Sequence, residues 1–209
     1  MFVKDIMTHN PVSISPEATL RELLSVMTDK TFEAIPVKKN GKVVGIVTDW
    51  DIVVNYSNRE AGNYLDSTRV KDVMTSNVAT VSPDEIVEMA AYHMYFHDLD
   101  AIPVVDEKDN LVGIVTQSDL FRTFVTLMGL RTRGTRITLD VPDKVGILAE
   151  ITRIVKDAGI SIASLSTYTP PEKKRGNVIL RVKTGHVKEL VDKFIDEGFH
   201  VVHVSQVWE

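Results

Sequence analysis

Apolar residues follow the same order twice in the first two-thirds of the chain. In each copy a short apolar strand precedes a helix whose apolar residues recur every three or four positions, and two further apolar strands flank a turn rich in Gly, Asn and Asp. A second helix then starts at Asp51 or Asp119. The predicted strands are Val12–Ile14, Ile35–Lys38 and Val43–Thr48 in the first copy and Val78–Val81, Ile102–Asp106 and Leu111–Thr116 in the second. The pattern therefore predicts two βαββα units in tandem.

Short motifs repeat with the same spacing. The matching segments are 3–8 with 70–75, 15–17 with 82–84, 34–37 with 101–104 and 45–51 with 113–119. A unit this short cannot cover its own sheet, so we expect the two copies to pack as one pseudo-twofold pair. The polar segment Asn55–Arg69 is predicted to link them. The domain boundaries that follow are 1–66 for the first repeat with its linker, 67–130 for the second repeat and 131–209 for a different domain.

The first helix of each copy is expected to begin differently. Thr19 and Glu22 have the spacing of a capping box. In the second copy Ser82, Pro83 and Glu85 suit the N-cap, N1 and N3 positions of a helix.

The period of the pattern changes in the last third, where the order of elements is βαββαβ, as in a ferredoxin-like unit. Ile137, Leu139 and Val141 alternate in its first strand, and its first helix is expected to start at Pro142-Asp143-Lys144 and end near Ala158. The later elements are a strand at Ile160–Tyr168, a charged loop at Pro170–Gly176, a strand through Val178–Val182, a helix at Val187–Glu197 and a strand at Phe199–Trp208. The whole chain is therefore predicted to be an α+β protein.

A Thr-x-x-Asp segment stands at the same strand-to-helix corner in both repeats, as Thr48 with Asp51 and Thr116 with Asp119. Such a segment is an ordinary helix cap. The same groups can also bind a sugar and its phosphate, because the carboxylate accepts hydrogen bonds from ribose hydroxyls and a helix N-terminus attracts a phosphate. Its repetition inside a repeated unit favours the binding interpretation.

Bulk composition narrows the classes of function. The chain has 209 residues, of which 44% are hydrophobic and 25% charged, as in a globular protein. A net charge of −5 disfavours nucleic acid and anionic membranes as partners, and the absence of cysteine excludes disulfides and thiol chemistry. With no signal-peptide pattern and no apolar run long enough to span a bilayer, we expect a cytoplasmic protein.

The histidines do not form a recognised catalytic or metal-binding motif. His93 and His97 share a helix face, but no Glu follows His93 as it does in zinc hydrolases. His200 and His203 fall in a predicted strand, so they are expected to face opposite sides and not to bind one metal ion together. No Walker loop, Rossmann fingerprint or Gly-x-Ser-x-Gly segment occurs. Neither a metal site nor an enzyme activity is predicted.

The repeated motifs make residues 1–128 resemble a pair of CBS domains. They are Lys-Asp-x-Met-Thr at 4–8 and 71–75, Ile-Pro-Val at 35–37 and 102–104, and Gly-Ile-Val-Thr-x-x-Asp at 45–51 and 113–119. The resemblance implies a regulatory module that needs no cofactor and binds an adenosine-containing effector (AMP, ADP, ATP, NAD or S-adenosylmethionine) in two clefts. It implies ribose carboxylates at Asp51 and Asp119, phosphate-side hydroxyls at Thr48 and Thr116, and adenine contacts from the strands around Ser13 and Thr80 and from the backbone at Ile35, Pro36, Ile102 and Pro103.

Two departures from the CBS pattern bear on the ligand. Phosphate-binding relatives often have Arg or His before the Ile-Pro pair, whereas Ala34 and Ala101 stand here, each after an acidic residue, which disfavours a polyphosphate. If a phosphate is bound, the nearby cations are Lys4, Lys71 and Arg122, together with His97; the alternative is that these are ordinary solvated surface charges. Trp50 of the first copy corresponds to Ser118 of the second, and its ring is expected to pack as core filler, to fill the first cleft or to stack on a base. The second site, with Thr116, Ser118 and Asp119, should be the more open.

The last third resembles an ACT domain through Asp143-x-x-Gly146-x-Leu148 and Gly159-Ile160-Ser161-Ile162. The resemblance implies a small-molecule sensor, often for amino acids, that pairs side by side in a homodimer. It places ligand contacts at Asp143, Lys144, Gly146, Ile147 and Ser161, although amino-acid sensors often have Asn where Ser161 stands. A purely dimerising role is the alternative.

A CBS pair followed by an ACT domain resembles the AcuB-type acetoin-utilisation proteins over the full chain. The main prediction is a regulatory protein that senses an adenine nucleotide or nucleoside and acts through a dimeric ACT domain or a regulated enzyme, in acetoin or other carbon metabolism. The alternatives are an amino-acid or small-acid sensor that works through the ACT domain with degenerate CBS clefts, and a ligand-free dimeric scaffold.

Overall fold

The computed structural model of the protein describes residues 1–30, 32–56 and 63–207. The chain divides into a first unit, Met1–Phe121, and a second unit, Arg122–Glu209. Helices and antiparallel sheets occur in both units, which confirms the predicted α+β class.

The first unit contains both repeats and two three-stranded sheets. Its elements are β1 (Thr8–His9), α1 (Leu20–Lys30), β2 (Ala34–Lys39), β3 (Lys42–Thr48), α2 (Asp49–Tyr56), α3 (Tyr64–Ser67), β4 (Thr75–Ser76), α4 (Val87–His97), β5 (Ala101–Val105), β6 (Leu111–Thr116) and the start of α5 (Gln117–Leu127). The strand orders are β2-β3-β4 and β1-β6-β5.

The opening strand of each repeat belongs to the sheet of the other repeat. Thr8 in β1 pairs with Ile114 in β6, and Thr75 in β4 pairs with Ile46 in β3. The buried side chain of Val3 accordingly packs in the core of the second repeat, whereas that of Val70 packs in the core of the first. The two repeats thus exchange their first segments and cannot fold as separate units without losing them.

The short strands predicted before the first helices are wrong. Only Ile14 and Val81 make a bridge there, each parallel to one residue of a neighbouring strand, Val37 and Val104 respectively. The predicted linker is partly helical, since α3 lies within it and Tyr64 is buried. Linker residues 57–62 lie outside the described residues.

Helix α4 begins at Val87, so the N-cap predicted at Ser82 is wrong. The Ser82 hydroxyl instead accepts a hydrogen bond from the Asp84 amide, in a turn. The exchanged N-terminal segment holds the chain out of the helix, because Val3 N donates to Glu85 O and Val87 N donates to Met1 O. The capping box predicted for α1 is confirmed, with Thr19 and Glu22 bonded reciprocally.

The second unit has the predicted βαββαβ order. Its elements are β7 (Gly134–Pro142), α6 (Ile147–Asp157), β8 (Ile162–Tyr168), β9 (Arg175–Val182), α7 (Lys188–Asp196) and β10 (His200–Val207), and the strand order is β10-β7-β9-β8. Its core joins one face of this sheet to α6 and α7, through side chains such as Leu139, Ile151 and Phe194. We call this face the inner face, and the opposite face of the sheet the outer face.

Details of the second unit differ from the prediction. The helix expected from Pro142 starts only at Ile147, because β7 continues to Pro142 and a loop follows. Strand β9 already includes Gly176, and Trp208 of the last predicted strand lies outside the described residues. A bulge between Val201 and His203 pairs His200 with Asp140 and His203 with Thr138, so both histidines lie on the outer face rather than on opposite faces.

Candidate functional site

The repeated Thr-x-x-Asp segments form helix caps of the same geometry. Thr48 donates from its amide and from its hydroxyl to Asp51 Oδ2, both at 2.8 Å, and Asp51 N donates back to Thr48 Oγ1 at 3.2 Å. Thr116 and Asp119 repeat these bonds at 3.0, 2.8 and 3.3 Å. The cap interpretation is therefore confirmed, and helices α2 and α5 start right after the Thr rather than at the Asp. In both corners the cap engages Oδ2 of the carboxylate.

The amides that follow Thr48 at the start of α2 already have protein partners. Asp49 N donates to Glu33 O at 3.3 Å, Trp50 N donates to Asp49 Oδ1 at 2.8 Å, and Asp51 N is the amide used in the cap. This corner offers no free amide of the first turn to a phosphate.

The corresponding corner of α5 keeps one open donor. Gln117 N donates to Asp100 O at 3.0 Å and Asp119 N is used in the cap. The Ser118 amide has no partner among the residues that the structure describes, and the Ser118 side chain is exposed beside it. The second corner thus has one more open amide than the first, a difference that is separate from the sizes of Trp50 and Ser118.

Trp50 does not pack as core filler, because 67% of its surface is exposed. The ring projects from the second position of α2, next to the first corner. Stacking on a base in the first cleft stays a prediction.

The residues expected around adenine lie beside each corner. Ile14 N donates to Pro36 O and Val81 N donates to Pro103 O, which brings the neighbouring Ser13 and Thr80 next to the Ile-Pro segments. These segments, Ile35 with Pro36 and Ile102 with Pro103, are buried. Ala34 pairs directly with Thr48, and Ala101 with Thr116. The position where phosphate-binding relatives have Arg or His therefore lies next to the Thr of each Thr-x-x-Asp segment. In this chain the residue at that position is an uncharged alanine.

The two lysines expected near a phosphate are engaged in ion pairs. Lys4 Nζ lies 2.6 Å from Asp84 Oδ1, and Lys71 Nζ lies 2.7 Å from Glu17 Oε2. The hydrogen bond to Asp84 raises the pKa of Lys4, and the hydrogen bond from Lys71 lowers the pKa of Glu17. Each pair ties an exchanged opening segment to the other repeat, so both lysines have a structural partner in place of a phosphate.

Arg122 lies on α5, three residues beyond Asp119, and is exposed. His97 ends α4, where its ring stacks on that of His93 at a centroid distance of 6.0 Å.

No cluster of three or more His, Cys, Asp or Glu side chains suited to a metal occurs in residues 1–30, 32–56 and 63–207.

A cavity of about 290 Å³ opens at the β7–α6 loop of the second unit. Four of the five ACT residues predicted from the sequence line it, namely Asp143, Lys144, Gly146 and Ile147. Thr167, Thr169 and Asn177 also line it and were missed, because only the pairing of β8 with β9 brings these strand-end residues to the loop. Ser161 is not among the lining residues.

Ser161 lies at the other end of the sheet. Its carbonyl accepts a hydrogen bond from Lys183 N, just beyond the end of β9, whereas the cavity adjoins the start of β9. Because β8 and β9 are antiparallel, Ser161 lies at the opposite end of the sheet from the β7–α6 loop. The sequence had predicted that Ser161 and this loop contact the same ligand.

The cavity contains the N-terminus of α6. Gly146 precedes this helix with a φ of 91°, a left-handed conformation that glycine adopts without strain. Within the described part of the chain the amides of Leu148 and Ala149 have no partner, and both residues line the cavity. Lys144 Nζ lies 3.1 Å from Glu150 Oε1 near the same helix end. A helix start with open amides favours an anionic group such as a carboxylate.

No helix in the described ranges has the length and apolar character to cross a membrane.

Comparison with known families gives two matches. Residues 3–58 and 70–126 match the CBS domain, and residues 135–193 match the ACT domain.

Curated relatives match the chain over somewhat more than half of its length. A homoserine O-acetyltransferase of Methanohalobium evestigatum is 35% identical over 122 residues, which are 58% of this chain and 24% of that protein. The chain thus spans about a quarter of the length of this relative. The CBS domain-containing protein YhcV of Bacillus subtilis is 36% identical over 118 residues, covering 56% of this chain and 81% of that protein.

Solved structures similar to this chain include three of interest. The CBS domain pair of protein MJ0100, in complex with 5′-methylthioadenosine and S-adenosyl-L-methionine, is 30% identical with a TM-score of 0.54 and covers 59% of this chain and 95% of that one. CBSX2 in complex with AMP is 26% identical with a TM-score of 0.52, covering 59% and 96%. A putative acetoin utilization protein (AcuB) from Vibrio cholerae is 28% identical with a TM-score of 0.55, covering 63% and 95%. The chain therefore belongs to the CBS domain family, with two CBS domains followed by an ACT domain.

Proposed function

We propose that this protein is a regulatory sensor that binds an adenosine-containing ligand in its CBS pair. The observation that carries the proposal is the corner at Thr116, Ser118 and Asp119, where a capped carboxylate, an exposed hydroxyl and an open amide lie together at the start of α5. Asp119 accepts the ribose hydroxyls, and Ser118 with its amide binds the substituent on the 5′ carbon. The similar CBS pairs solved with S-adenosylmethionine, 5′-methylthioadenosine and AMP support this ligand class.

The ligand is a nucleoside of low negative charge rather than a polyphosphate. The amides after Thr48 are used within the protein, Lys4 and Lys71 pair with carboxylates, and the residues before Ile-Pro are alanines. Glu33 and Asp100 stand next to the two corners and repel phosphate oxygens.

A thermal-shift experiment on the full chain tests the proposal. S-Adenosylmethionine, 5′-methylthioadenosine and AMP are each expected to raise the Tm, because a ligand that binds only the folded state stabilises it. ATP should raise it less at equal concentration. Asp119→Asn should weaken binding by about tenfold or more, because each hydrogen bond to a charged group contributes about 1.5–3 kcal/mol.

Asp51→Asn is the matched control, since it makes the same chemical change at the corner with no open amide. It should weaken binding less than Asp119→Asn does. The absence of any shift with all four ligands, or an Asp119→Asn variant that binds as well as the original, would contradict the proposal.

The ACT cavity supports a second candidate function, the sensing of an amino acid or another small carboxylic acid. Its volume is close to the lower end of ligand pockets, and its open amides at Leu148 and Ala149 suit a carboxylate. Thr167, Thr169 and Asn177 supply polar groups for the rest of such a ligand.

Calorimetry of the full chain with the twenty amino acids tests this candidate. Asn177→Ala is expected to reduce the affinity for the bound amino acid by about tenfold, since it removes hydrogen bonds in a confined site. The Asp119→Asn variant should bind the amino acid with unchanged affinity. If no amino acid binds and no adenosine ligand binds, the scaffold alternative replaces both sensor functions.

The mode of action is also part of the proposal. The sensor is a homodimer that pairs through the edge of the ACT sheet and regulates an enzyme in place of performing catalysis. Strands β8 and β10 are the edges of that sheet. The similarity to the Vibrio cholerae AcuB protein supports a place in acetoin or other carbon metabolism.

A further inference from the structure

Arg181 is a buried charge, two of whose donor nitrogens have no partner in the part of the chain that the structure describes. It lies in β9 and only 2% of its surface is exposed. Its Nε and Nη1 atoms are buried and have no hydrogen-bond partner among the described residues. A guanidinium stays charged at any physiological pH, and a buried charge is costly unless it is paired. The native protein therefore needs an acceptor at this position.

The nearest charged neighbour across the sheet is another arginine. Arg136 in β7 is the direct pairing partner of Arg181, so both side chains lie on the outer face. Arg136 Nη1 donates to Thr138 Oγ1 at 2.7 Å, and like charges placed directly opposite destabilise a sheet.

The carboxylate on the same face lies too far away to neutralise them. Asp140 is four residues along β7 from Arg136, about 13 Å at the rise of a strand, and it accepts a hydrogen bond from Arg175. Arg136 and Arg181 thus form a positively charged pair that offers hydrogen-bond donors. Among the described residues, no acidic side chain occupies a strand position directly opposite either arginine.

The connector, residues 128–133 between α5 and β7, lies over this pair. Ser164 Oγ in β8 donates to Met128 O at 2.8 Å, which fastens the connector to the outer face. Gly129 ends α5 with a φ of 66°, and a Cβ atom built on it would lie 3.1 Å from Ser164 Oγ and 3.3 Å from Arg181 Cδ. The close approach shows that the backbone at Gly129 covers the Arg181 side chain.

We propose that Arg181 and Arg136 bind a small anion with carboxylate or phosphate oxygens between the connector and the outer face of the ACT sheet. A guanidinium offers paired N–H groups to such oxygens, and two of them neutralise a divalent ion. Because Gly129 covers Arg181, the anion enters when the connector opens. Once bound, the anion holds the connector against the sheet. The site lies four residues along β9 from Asn177 of the loop cavity and is independent of the adenosine site.

Titration of the full chain with inorganic phosphate, and separately with acetate, tests the site while sodium chloride keeps the ionic strength constant. Nuclear magnetic resonance of the arginine Nε–H groups reports directly on Arg181, whose signal is identified by its loss in Arg181→Lys. We expect this signal to shift and saturate with one of the two ions, and which ion acts distinguishes a phosphate from a carboxylate ligand. The Arg175 signal, from an exposed arginine of the same strand, should not saturate with it.

Thermal unfolding gives a second measurement. The effective ion should raise the Tm of the original protein and of Arg175→Met, whereas Arg181→Met should lose this rise. An Arg181 signal that responds to neither ion, or an Arg181→Met variant that keeps the rise, overturns the proposal. A signal that changes with protein concentration and not with either ion also overturns it, because a carboxylate of a second copy is then the partner.

Discussion

Replacing Gly45 with alanine is expected to destabilise the CBS pair by about 1–3 kcal/mol, the usual range for an overpacked site. A Cβ atom on Gly45 would lie 2.6 Å from Met74 Sδ and 2.9 Å from the Thr75 carbonyl oxygen. The methionine side chain can rotate away, but Thr75 O belongs to β4, which pairs with β3 at this residue. Relief of the contact therefore requires the exchanged strand to move.

Gly113→Ala is the matched comparison, because Gly113 occupies the same position in the second repeat. Its new Cβ atom would meet the end of the Met7 side chain and would lie 3.2 Å from Thr8 O, a looser backbone contact. Urea unfolding should therefore show a smaller loss for Gly113→Ala than for Gly45→Ala. Equal losses, or an unchanged midpoint for Gly45→Ala, would show that the exchanged strands do not restrict these positions.

Shortening Val3 to alanine is expected to weaken the second repeat, although Val3 belongs to the first repeat in sequence. Its side chain has 0% exposure and packs with Val104 and Val115. Loss of two buried methyl groups and the resulting cavity should cost about 2 kcal/mol or more. Native-state hydrogen exchange should then show the largest loss of protection in β5 and β6, and a smaller loss in β2 and β3.

Val70→Ala provides the reciprocal test, because Val70 packs in the core of the first repeat. It should reduce protection chiefly in β2 and β3. Lys4→Ala changes the neighbour of Val3 and removes two exposed contacts, the ion pair with Asp84 and the approach of Lys4 Nζ to the Phe2 ring, so protection of both sheets should persist. Loss of protection confined to the first repeat in Val3→Ala would contradict the exchange of segments.

The proposed adenosine site was only partly predictable from the sequence. The positions of Thr116 and Asp119 at a strand-to-helix corner followed from the repeated pattern, and the structure places them there. The unequal supply of amides at the two corners did not follow, because it depends on the side chain that precedes the second amide of each helix. Asp49 Oδ1 accepts from Trp50 N, whereas the Gln117 side chain bonds to Leu99 O and Asp100 Oδ1 and leaves the Ser118 amide open. Likewise, the sequence did not predict the ion pairs of Lys4 and Lys71, because their partners Asp84 and Glu17 are distant along the chain.

The incorrectly predicted boundaries of helices and strands also result from contacts between segments that are distant along the chain. Ser82, Pro83 and Glu85 have the local chemistry of a helix start, but hydrogen bonds from the exchanged N-terminal segment delay α4 to Val87. The bulge near Val202 moves His203 onto the face of His200, and nothing in the alternation of that strand predicts it. Local propensity does not include contacts of this kind.

The sequence by itself determined the duplicated unit, the βαββαβ domain that follows and the Thr-x-x-Asp corners. Periodicity, turn residues and caps are local properties, so they can be read without a partner segment. The tertiary structure decided that the opening strands are exchanged between repeats, that one corner keeps an open amide, and that Arg181 is buried opposite Arg136. Each of these depends on which distant segments meet, and burial and strand pairing determine that choice only when the whole chain has folded.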